Sequence, residues 1–320
     1  MERKGEGIRQ EVQRRIARGG LELFDDLVKR FYSLEVLGQE HLASVLELQQ
    51  CFRRSEYAKP IPMIVYFNHI AGDDPFLILE LLDRSLGDVM GNVILPVSDV
   101  YMKLHKHPTY AIGARLAQQI FGFDVFPITQ AYRRRGSGQI EDTNGETITF
   151  IDQLTQKFIN GGCLVIAPEG HRSPGNSLQP ASLQPAEESI GVAVRRLINL
   201  IKKKQIPEAI ILPIGIEYPG LPAKRFHLGL KKVPAKLSVG QPLLATEILE
   251  NVNLFSSQMN LKGIKERVLI TDYLMMALSN LLPPGMRGVY DGESTWFRPT
   301  LEGRAKLVKR GKEAQIELVR

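Results

Sequence analysis

Five short runs of apolar residues, separated by stretches with helical periodicity, constrain the fold more than any other feature of the chain. Runs that are apolar at consecutive positions are typical of strands buried on both faces. The chain therefore predicts an α/β fold with a mixed, largely parallel β-sheet flanked by helices on both faces. The runs are MIVYF (63–67), NVILPV (92–97), FDVFPI (123–128), CLVIAP (163–168) and EAIILPIGIEY (208–218), and AKLSVG (235–240) predicts a sixth strand.

The intervening stretches carry the signals of helices. DPFLILELLDRSL predicts a helix with Asp74 as its N-cap and Pro75 at its first position. ETITFIDQLTQKFINGG places its apolar residues on one face and ends in two glycines, which predicts a second helix. A third helix is predicted after Glu187 and Glu188, because apolar residues recur there at helical spacing and three lysines complement its C-terminal dipole.

Two local features interrupt this pattern. Pro213 lies inside the apolar run at 208–218, and because proline has no backbone N–H to donate, it predicts an edge strand or a bulge. The pentapeptide SLQPA occurs at 177–181 and again at 182–186, in a segment rich in Gly, Pro and Ser. Two copies are too few for a repeat architecture, so we expect a local duplication in a flexible loop.

The pattern divides the chain into three segments. Residues 1–31 predict an amphipathic helical segment, 32–245 hold the alternation of strands and helices, and 246–320 predict a C-terminal helical extension. The basic N-terminal helix can lie on an anionic membrane or pack on its own domain. The N-terminus is too charged for a signal peptide, and no run reaches the ~18 apolar residues of a membrane span. We therefore expect a cytoplasmic protein without a transmembrane segment, either free or peripheral on the inner face of the membrane.

Net charge narrows the class of binding partner, and cysteine usage narrows the cellular compartment. The formal net charge of +6 favours anionic partners such as phosphate-bearing metabolites or lipid head groups. Nucleic acid is disfavoured, because the basic residues lack aromatic interleaving or a recognisable module. Cys51 and Cys163 have no metal-ligand or redox spacing, which is typical of a reducing compartment. No feature of the sequence predicts an oligomeric state.

The segment NHIAGDDP places a titratable ring and two carboxylates at the end of the first apolar run. Asp74 lies far enough beyond His69 for a turn to fold the carboxylate onto the ring. A carboxylate on one imidazole nitrogen raises the basicity of the other, which can then take a proton from a hydroxyl. Asp74 before Pro75 is equally a good helix cap, and Asp73 is an alternative partner for the ring. Spacing alone leaves capping and catalysis open.

Two further segments carry charged residues beyond strand ends. In APEGHRSP, Gly170 allows close approach of a ligand, Arg172 suits bidentate recognition of phosphate, and Glu169 could orient the arginine or bind a hydroxyl. In FPITQAYRRRG, Arg133, Arg134 and Arg135 follow the third run. A solvated charge run is the alternative for these arginines. Because ligands bind beyond the carboxyl ends of parallel strands, the segments predict one shared crevice.

In order along the chain, NHIAGDDP, FGFDVFPI with its arginines, APEGHRS and ILPIGIEYP resemble the four sequence blocks of the phospholipid/glycerol acyltransferase family. This family contains the lysophosphatidic acid acyltransferases, and the resemblance covers residues 32–245. It implies a glycerol-3-phosphate acyltransferase-like α/β fold, with 32–245 as the acyltransferase domain. It also implies that His69 is the general base and that Asp74 orients it. The residues that the resemblance assigns to the substrate phosphate are Glu169, Gly170, Arg172, Arg133 and Arg134.

The implied reaction moves a fatty acyl group from the thioester of acyl-CoA or acyl carrier protein to a hydroxyl of a phosphate-bearing glycerolipid. The simplest acceptor is 1-acyl-glycerol-3-phosphate, which gives phosphatidic acid. No metal or other cofactor is implied beyond the acyl-thioester substrate. Alternatives are the same chemistry on glycerol-3-phosphate or another lysolipid, and a non-catalytic lipid- or membrane-binding relative.

The sequence departs from the family pattern at three places. His171 stands where threonine is usual, the arginines lie farther from the strand than usual, and the duplicated SLQPA segment precedes the helix that follows the third block. The N-terminal apolar anchor common in the family is also absent from this sequence. These departures bear on the identity of the acceptor more than on acyl transfer.

Overall fold

The strands and helices of the chain form the predicted α/β architecture around one mixed sheet. The computed structural model describes residues 25–54 except 27, 59–87, 93–98, 123–128, 143–170, 182–221, 232–258 and 264–291. The strands are β1 (Tyr32–Leu37), β2 (Met63–Phe67), β3 (Val93–Ser98), β4 (Asp124–Ile128), β5 (Cys163–Ile166), β6 (Ile210–Glu217), β7 (Val233–Val239) and β8 (Leu243–Leu244). The helices are α1 (Gln39–Arg54), α2 (Asp74–Leu86), α3 (Thr143–Ile159), α4 (Ser189–Lys202), α5 (Ala245–Gln258) and α6 (Glu266–Ser279), followed by 3-10 turns at Pro284–Met286 and Gly288–Tyr290.

The direction of the strands decides which chain segments meet. The sheet order is β1-β7-β6-β2-β5-β3-β4, with β8 beside β6. β2 runs parallel to β5 and β6, β3 runs parallel to β4 and β5, and β1 runs parallel to β7. Among the described strands, the antiparallel pairs are those of β6 with β7 and of β6 with β8. The carboxyl ends of β2 to β6 therefore lie at one edge of the sheet, together with the amino ends of β1 and β7.

The strand β1 and the helix α1 were not predicted from the sequence. Along Tyr32–Leu37 buried or half-buried side chains alternate with exposed ones, and β1 pairs only with β7 among the described strands. Such an edge strand lacks the continuous apolar run that marks the central strands. β2, by contrast, is buried at all five positions, which is the signature of a strand covered on both faces.

Pro213 does not lie on an edge strand, so that alternative is wrong. β6 is an interior strand in which Pro213 pairs with Tyr66 of β2. On its other side, Ile214 pairs with Val239 and Ile211 pairs with Leu243, so two residues of β6 face three residues of the neighbouring segment. Such a one-residue register shift is a bulge-like irregularity, and the Pro213 carbonyl accepts the backbone N–H of Gly240 there.

The helices of the C-terminal segment share the core of the sheet. Buried residues of α4, α5 and α6 belong to the same hydrophobic cluster as β2 and β6. The Tyr66 hydroxyl of β2 donates to the backbone carbonyl of Leu274 in α6 at 2.9 Å. Residues 245–258 and 264–291 are thus packed into the body that carries the sheet.

The second SLQPA copy, residues 182–186, is packed rather than flexible. Leu183 is 1% exposed, its N–H donates to the carbonyl of Met286, and its carbonyl accepts the N–H of Val289. The N–H of Ala186 donates to the Tyr290 hydroxyl at 3.1 Å. The expectation of a flexible loop is therefore wrong for this copy, because the 3-10 turns give it backbone partners. The first copy, 177–181, lies outside the described residues.

Candidate active site

Polar side chains from three neighbouring strands meet at the carboxyl edge of the sheet. His69 follows β2, Glu169 follows β5, and Tyr218 follows β6 directly. β2 lies between β5 and β6. Asn68 joins the ends of β2 and β6, because its side-chain amide exchanges two hydrogen bonds with the backbone of Ile216, at 2.7 and 2.9 Å. It therefore extends the pairing of β2 with β6 by one residue and fixes the position of the backbone at His69.

The predicted contact between His69 and Asp74 is present. His69 Nδ1 lies 2.9 Å from Asp74 Oδ2. The His69 side chain is 23% exposed, whereas the Asp74 side chain is fully buried. The ring also packs edge-on against Phe67, with centroids 6.1 Å apart. The imidazole therefore has one nitrogen on a buried carboxylate and part of its surface open to solvent.

Asp74 is the first residue of α2 and does not cap it, so the predicted N-cap is wrong by one position. The N-cap is Asp73, and its side chain makes no capping hydrogen bond. Asp74 Oδ2 instead accepts the backbone N–H groups of Ile70 at 2.6 Å and Ala71 at 2.8 Å. The carboxylate thus closes the loop that precedes it and holds the His69 ring with the same oxygen.

Two tyrosines that the sequence did not single out also donate to this pair of carboxylates. The Tyr218 hydroxyl donates to Asp74 Oδ1 at 2.7 Å, and the Tyr32 hydroxyl donates to Asp73 Oδ2. Burial, followed by the charge of Asp74, raises the pKa of Tyr218 far above its ordinary value. Burial, followed by the bond to Asp73, likewise raises the pKa of Tyr32. Both hydroxyls therefore remain protonated donors.

Glu169 supports the loop of His69 from the side of β5. Its side chain is buried, with Oε1 accepting the backbone N–H of His69 at 3.1 Å and Oε2 accepting the backbone N–H of Gln184 at 2.9 Å. Gly170 follows with a φ of +70°, in the region that favours glycine, and a Cβ there would approach Glu187 Cγ to 3.2 Å. The Glu169 carboxylate therefore joins the His69 loop to the packed SLQPA copy.

Arg172, Arg133, Arg134 and Arg135, together with His171, lie outside the described residues. Their assignment to a substrate phosphate remains a prediction.

The geometry at His69 defines what the site can do chemically. Asp74 also accepts hydrogen bonds from two backbone N–H groups and from the Tyr218 hydroxyl, so it faces the ring as an acceptor, and the His69 proton stays on Nδ1 and donates to it. The other nitrogen, Nε2, then carries the free lone pair and can take a proton from a bound hydroxyl or from water. This is the arrangement of a base oriented by a carboxylate.

Comparison with known proteins gives a similarity to solved structures. No protein-family model matches the chain, and the search of curated proteins gave no match. Among solved structures, the chain is similar to the crystal structure of the 1-acyl-sn-glycerophosphate (LPA) acyltransferase, PlsC, from Thermotoga maritima, with 18% sequence identity. The match covers 81% of this chain and 83% of that chain at a TM-score of 0.39. At that TM-score the similarity has no bearing on the chemistry of the site.

None of the described helices combines the length and the apolar character that a membrane span requires.

Proposed function

We propose that this protein is an O-acyltransferase that moves a fatty acyl group from an acyl thioester to a hydroxyl of a phosphate-bearing glycerolipid, most simply 1-acyl-glycerol-3-phosphate. The observation that carries the proposal is the contact of His69 Nδ1 with the buried Asp74 carboxylate, which leaves Nε2 as a base on a partly exposed ring. The order of the four sequence blocks supports the choice of acyl transfer among the reactions that a base can serve.

In this mechanism His69 Nε2 removes the proton of the acceptor hydroxyl. The alkoxide oxygen attacks the carbonyl carbon of the thioester and forms a tetrahedral oxyanion. Its collapse breaks the C–S bond, and the thiolate leaves with the proton from the imidazolium as the free thiol. Asp74 keeps the ring in the tautomer that the first step needs and stabilises the imidazolium between the steps. No covalent acyl-enzyme is required.

The proposal assigns the acceptor phosphate to arginines that follow β4 and β5 in the sequence. Arg172 follows β5 and Arg133 and Arg134 follow β4, and the carboxyl ends of both strands lie at the edge that carries His69. A guanidinium pairs with phosphate through two parallel hydrogen bonds, which would fix the distance of the acceptor hydroxyl from the base. This assignment is part of the proposal.

The test is an assay of the purified chain with acyl-CoA or acyl carrier protein and a panel of acceptors. Free thiol and lipid product are both followed, with 1-acyl-glycerol-3-phosphate, glycerol-3-phosphate and other lysolipids as acceptors. We expect thiol release that depends on the acceptor and matches the ester formed. His69→Ala and Asp74→Asn should each lower kcat roughly 10²- to 10⁴-fold, the usual contribution of a positioned base.

His41→Ala is the matched control, because His41 lies on α1 near Gly38 and does not contact the His69 cluster in the described structure. A folded His69→Ala protein with unchanged turnover would refute the mechanism. Thiol release without an acceptor would indicate hydrolysis instead, and binding to lipid vesicles without any thiol release would indicate a non-catalytic lipid-binding protein.

A further inference from the structure

Tyr218 occupies the side of the Asp74 carboxylate that faces away from the ring. His69 Nδ1 and two backbone N–H groups lie on Oδ2, whereas the Tyr218 hydroxyl donates to Oδ1 at 2.7 Å. A carboxylate held through one oxygen can still rotate about the bond that joins it to Cβ. The bond from Tyr218 anchors the second oxygen, so it fixes the plane of the carboxylate and with it the direction from which Oδ2 meets the ring.

Tyr218 lies at the end of β6, where hydrogen bonds to β2 hold the backbone in place. Tyr218 is 5% exposed and directly follows β6, whose pairing with β2 continues through the Asn68 amide to Ile216. Because these bonds hold the ends of β2 and β6 together, the backbone positions of Tyr218 and His69 are fixed next to each other. A buried tyrosine hydroxyl needs a partner, and here that partner is the carboxylate that orients the base.

We propose that Tyr218 is a positioning residue of the active site and completes a His69–Asp74–Tyr218 chain of hydrogen bonds that holds the base in its reactive tautomer. The inference rests on the proposed function for its kinetic consequence, but its structural content concerns the ring and the carboxylate alone. Tyr218 acts through Asp74, and its own hydroxyl stays protonated throughout the reaction.

The test compares Tyr218→Phe with wild type and with Tyr66→Phe in the full chain. Tyr66 is a fully buried tyrosine of β2 whose hydroxyl donates to a backbone carbonyl of α6, so its variant removes one buried hydroxyl away from the site. Histidine side-chain ¹⁵N NMR reports which ring nitrogen of His69 carries the proton. We expect the Nδ1–H form in wild type and Tyr66→Phe. In Tyr218→Phe we expect a mixture of both tautomers, because the carboxylate is free to turn away from the ring and this loss of alignment outweighs the charge that Oδ2 regains.

Kinetics supply the second measurement. Tyr218→Phe should lower kcat roughly 10- to 100-fold, by analogy with the loss that follows when the hydrogen-bond partner of a metal-binding residue is removed. KM for donor and acceptor should stay unchanged. Folded Tyr218→Phe with the wild-type tautomer and wild-type kcat would overturn the inference. If wild type shows no acyl transfer, the proposed function fails, and the NMR comparison still decides the role of Tyr218.

A second variant covers the case in which Tyr218→Phe does not fold. Incorporation of 3-fluorotyrosine at position 218 keeps the hydroxyl and strengthens it as a donor. A stronger bond to Oδ1 draws charge from the carboxylate and weakens the bond from Nδ1–H to Oδ2, so the ¹H signal of that proton should move upfield. An unchanged signal would overturn the inference.

Discussion

Replacement of Glu169 by glutamine distinguishes two roles that sequence and structure assign to this residue. The sequence resemblance groups Glu169 with residues that bind the substrate phosphate. In the structure its buried carboxylate accepts the backbone N–H groups of His69 and Gln184, at 3.1 and 2.9 Å. Glutamine has nearly the same shape but accepts with one side-chain oxygen only, so Glu169→Gln sets one of these N–H groups against an NH₂ group.

The expected change in the free energy of unfolding follows from those two hydrogen bonds. A hydrogen bond to a charged group contributes about 1.5–3 kcal/mol, and a buried N–H left without an acceptor costs about 1–3 kcal/mol. Glutamine retains one bond in its weaker neutral form and removes the desolvation cost of a buried carboxylate, which offsets part of the loss. We expect the free energy of unfolding to fall by about 2 kcal/mol, because the lost bond outweighs that relief.

The assay combines urea unfolding with acyl-transfer kinetics. Because Glu169 holds the backbone at His69, displacement of the base should lower kcat by roughly tenfold or more, with KM for the acceptor unchanged. Glu35→Gln, at an exposed glutamate of β1, is the control and should change neither quantity. If Glu169→Gln instead raises KM for the acceptor while kcat and the free energy of unfolding stay at wild-type values, Glu169 contacts substrate and the positioning role is refuted.

Two further predictions concern the scaffold. Burial raises the pKa of Glu80 on α2 to about 7, with Arg84 opposing and Asp25 adding to the shift. The folded state therefore holds a proton on Glu80 at pH values where the unfolded state has lost it. The stability that this proton contributes is fully present below the unfolded pKa and is lost as the pH rises to about 7. Urea titrations should therefore show that Glu80→Gln gains stability relative to wild type between pH 5 and pH 8, by at most about 3 kcal/mol, and parallel pH curves would contradict this. Gly191→Ala should destabilise the protein by about 1–3 kcal/mol or more, since a Cβ there would lie 1.9 Å from the carbonyl oxygen of Arg267 on α6. An unfolding midpoint equal to that of wild type would refute the close packing of α4 on α6.

The central strands could be predicted from the sequence because a strand that is buried on both faces has apolar residues at consecutive positions. β2 and β6 are such strands, and both were expected at their observed positions. β1 could not be found in this way, because an edge strand alternates like any amphipathic segment and its YSLEVL sequence follows directly on a basic helical stretch. Its place beside β7 depends on a contact between residues about 200 positions apart, which no local pattern encodes.

The same division separates the site residues that were expected from those that were missed. His69 and Asp74 are close in sequence, and their spacing alone suggested the contact that the structure contains. Tyr218 lies 144 positions from Asp74, and only the parallel pairing of β6 with β2 brings its hydroxyl to the carboxylate. A signal was present all the same, because a tyrosine that directly follows a buried strand lies at the strand end where ligands bind.

The position of Asp74 resolves the choice between helix capping and orientation of the ring. Its carboxylate turns back to the N–H groups of Ile70 and Ala71, so it closes the loop before the helix and does not serve the helix it begins. Loop closure and the contact with His69 use the same oxygen, and a variant that removes the carboxylate would lose both. Asp74→Asn keeps an oxygen for the two N–H groups and removes the negative charge that, in the proposed mechanism, stabilises the imidazolium. Loss of turnover in a folded Asp74→Asn protein would therefore report the charge on Oδ2 and not the shape of the loop.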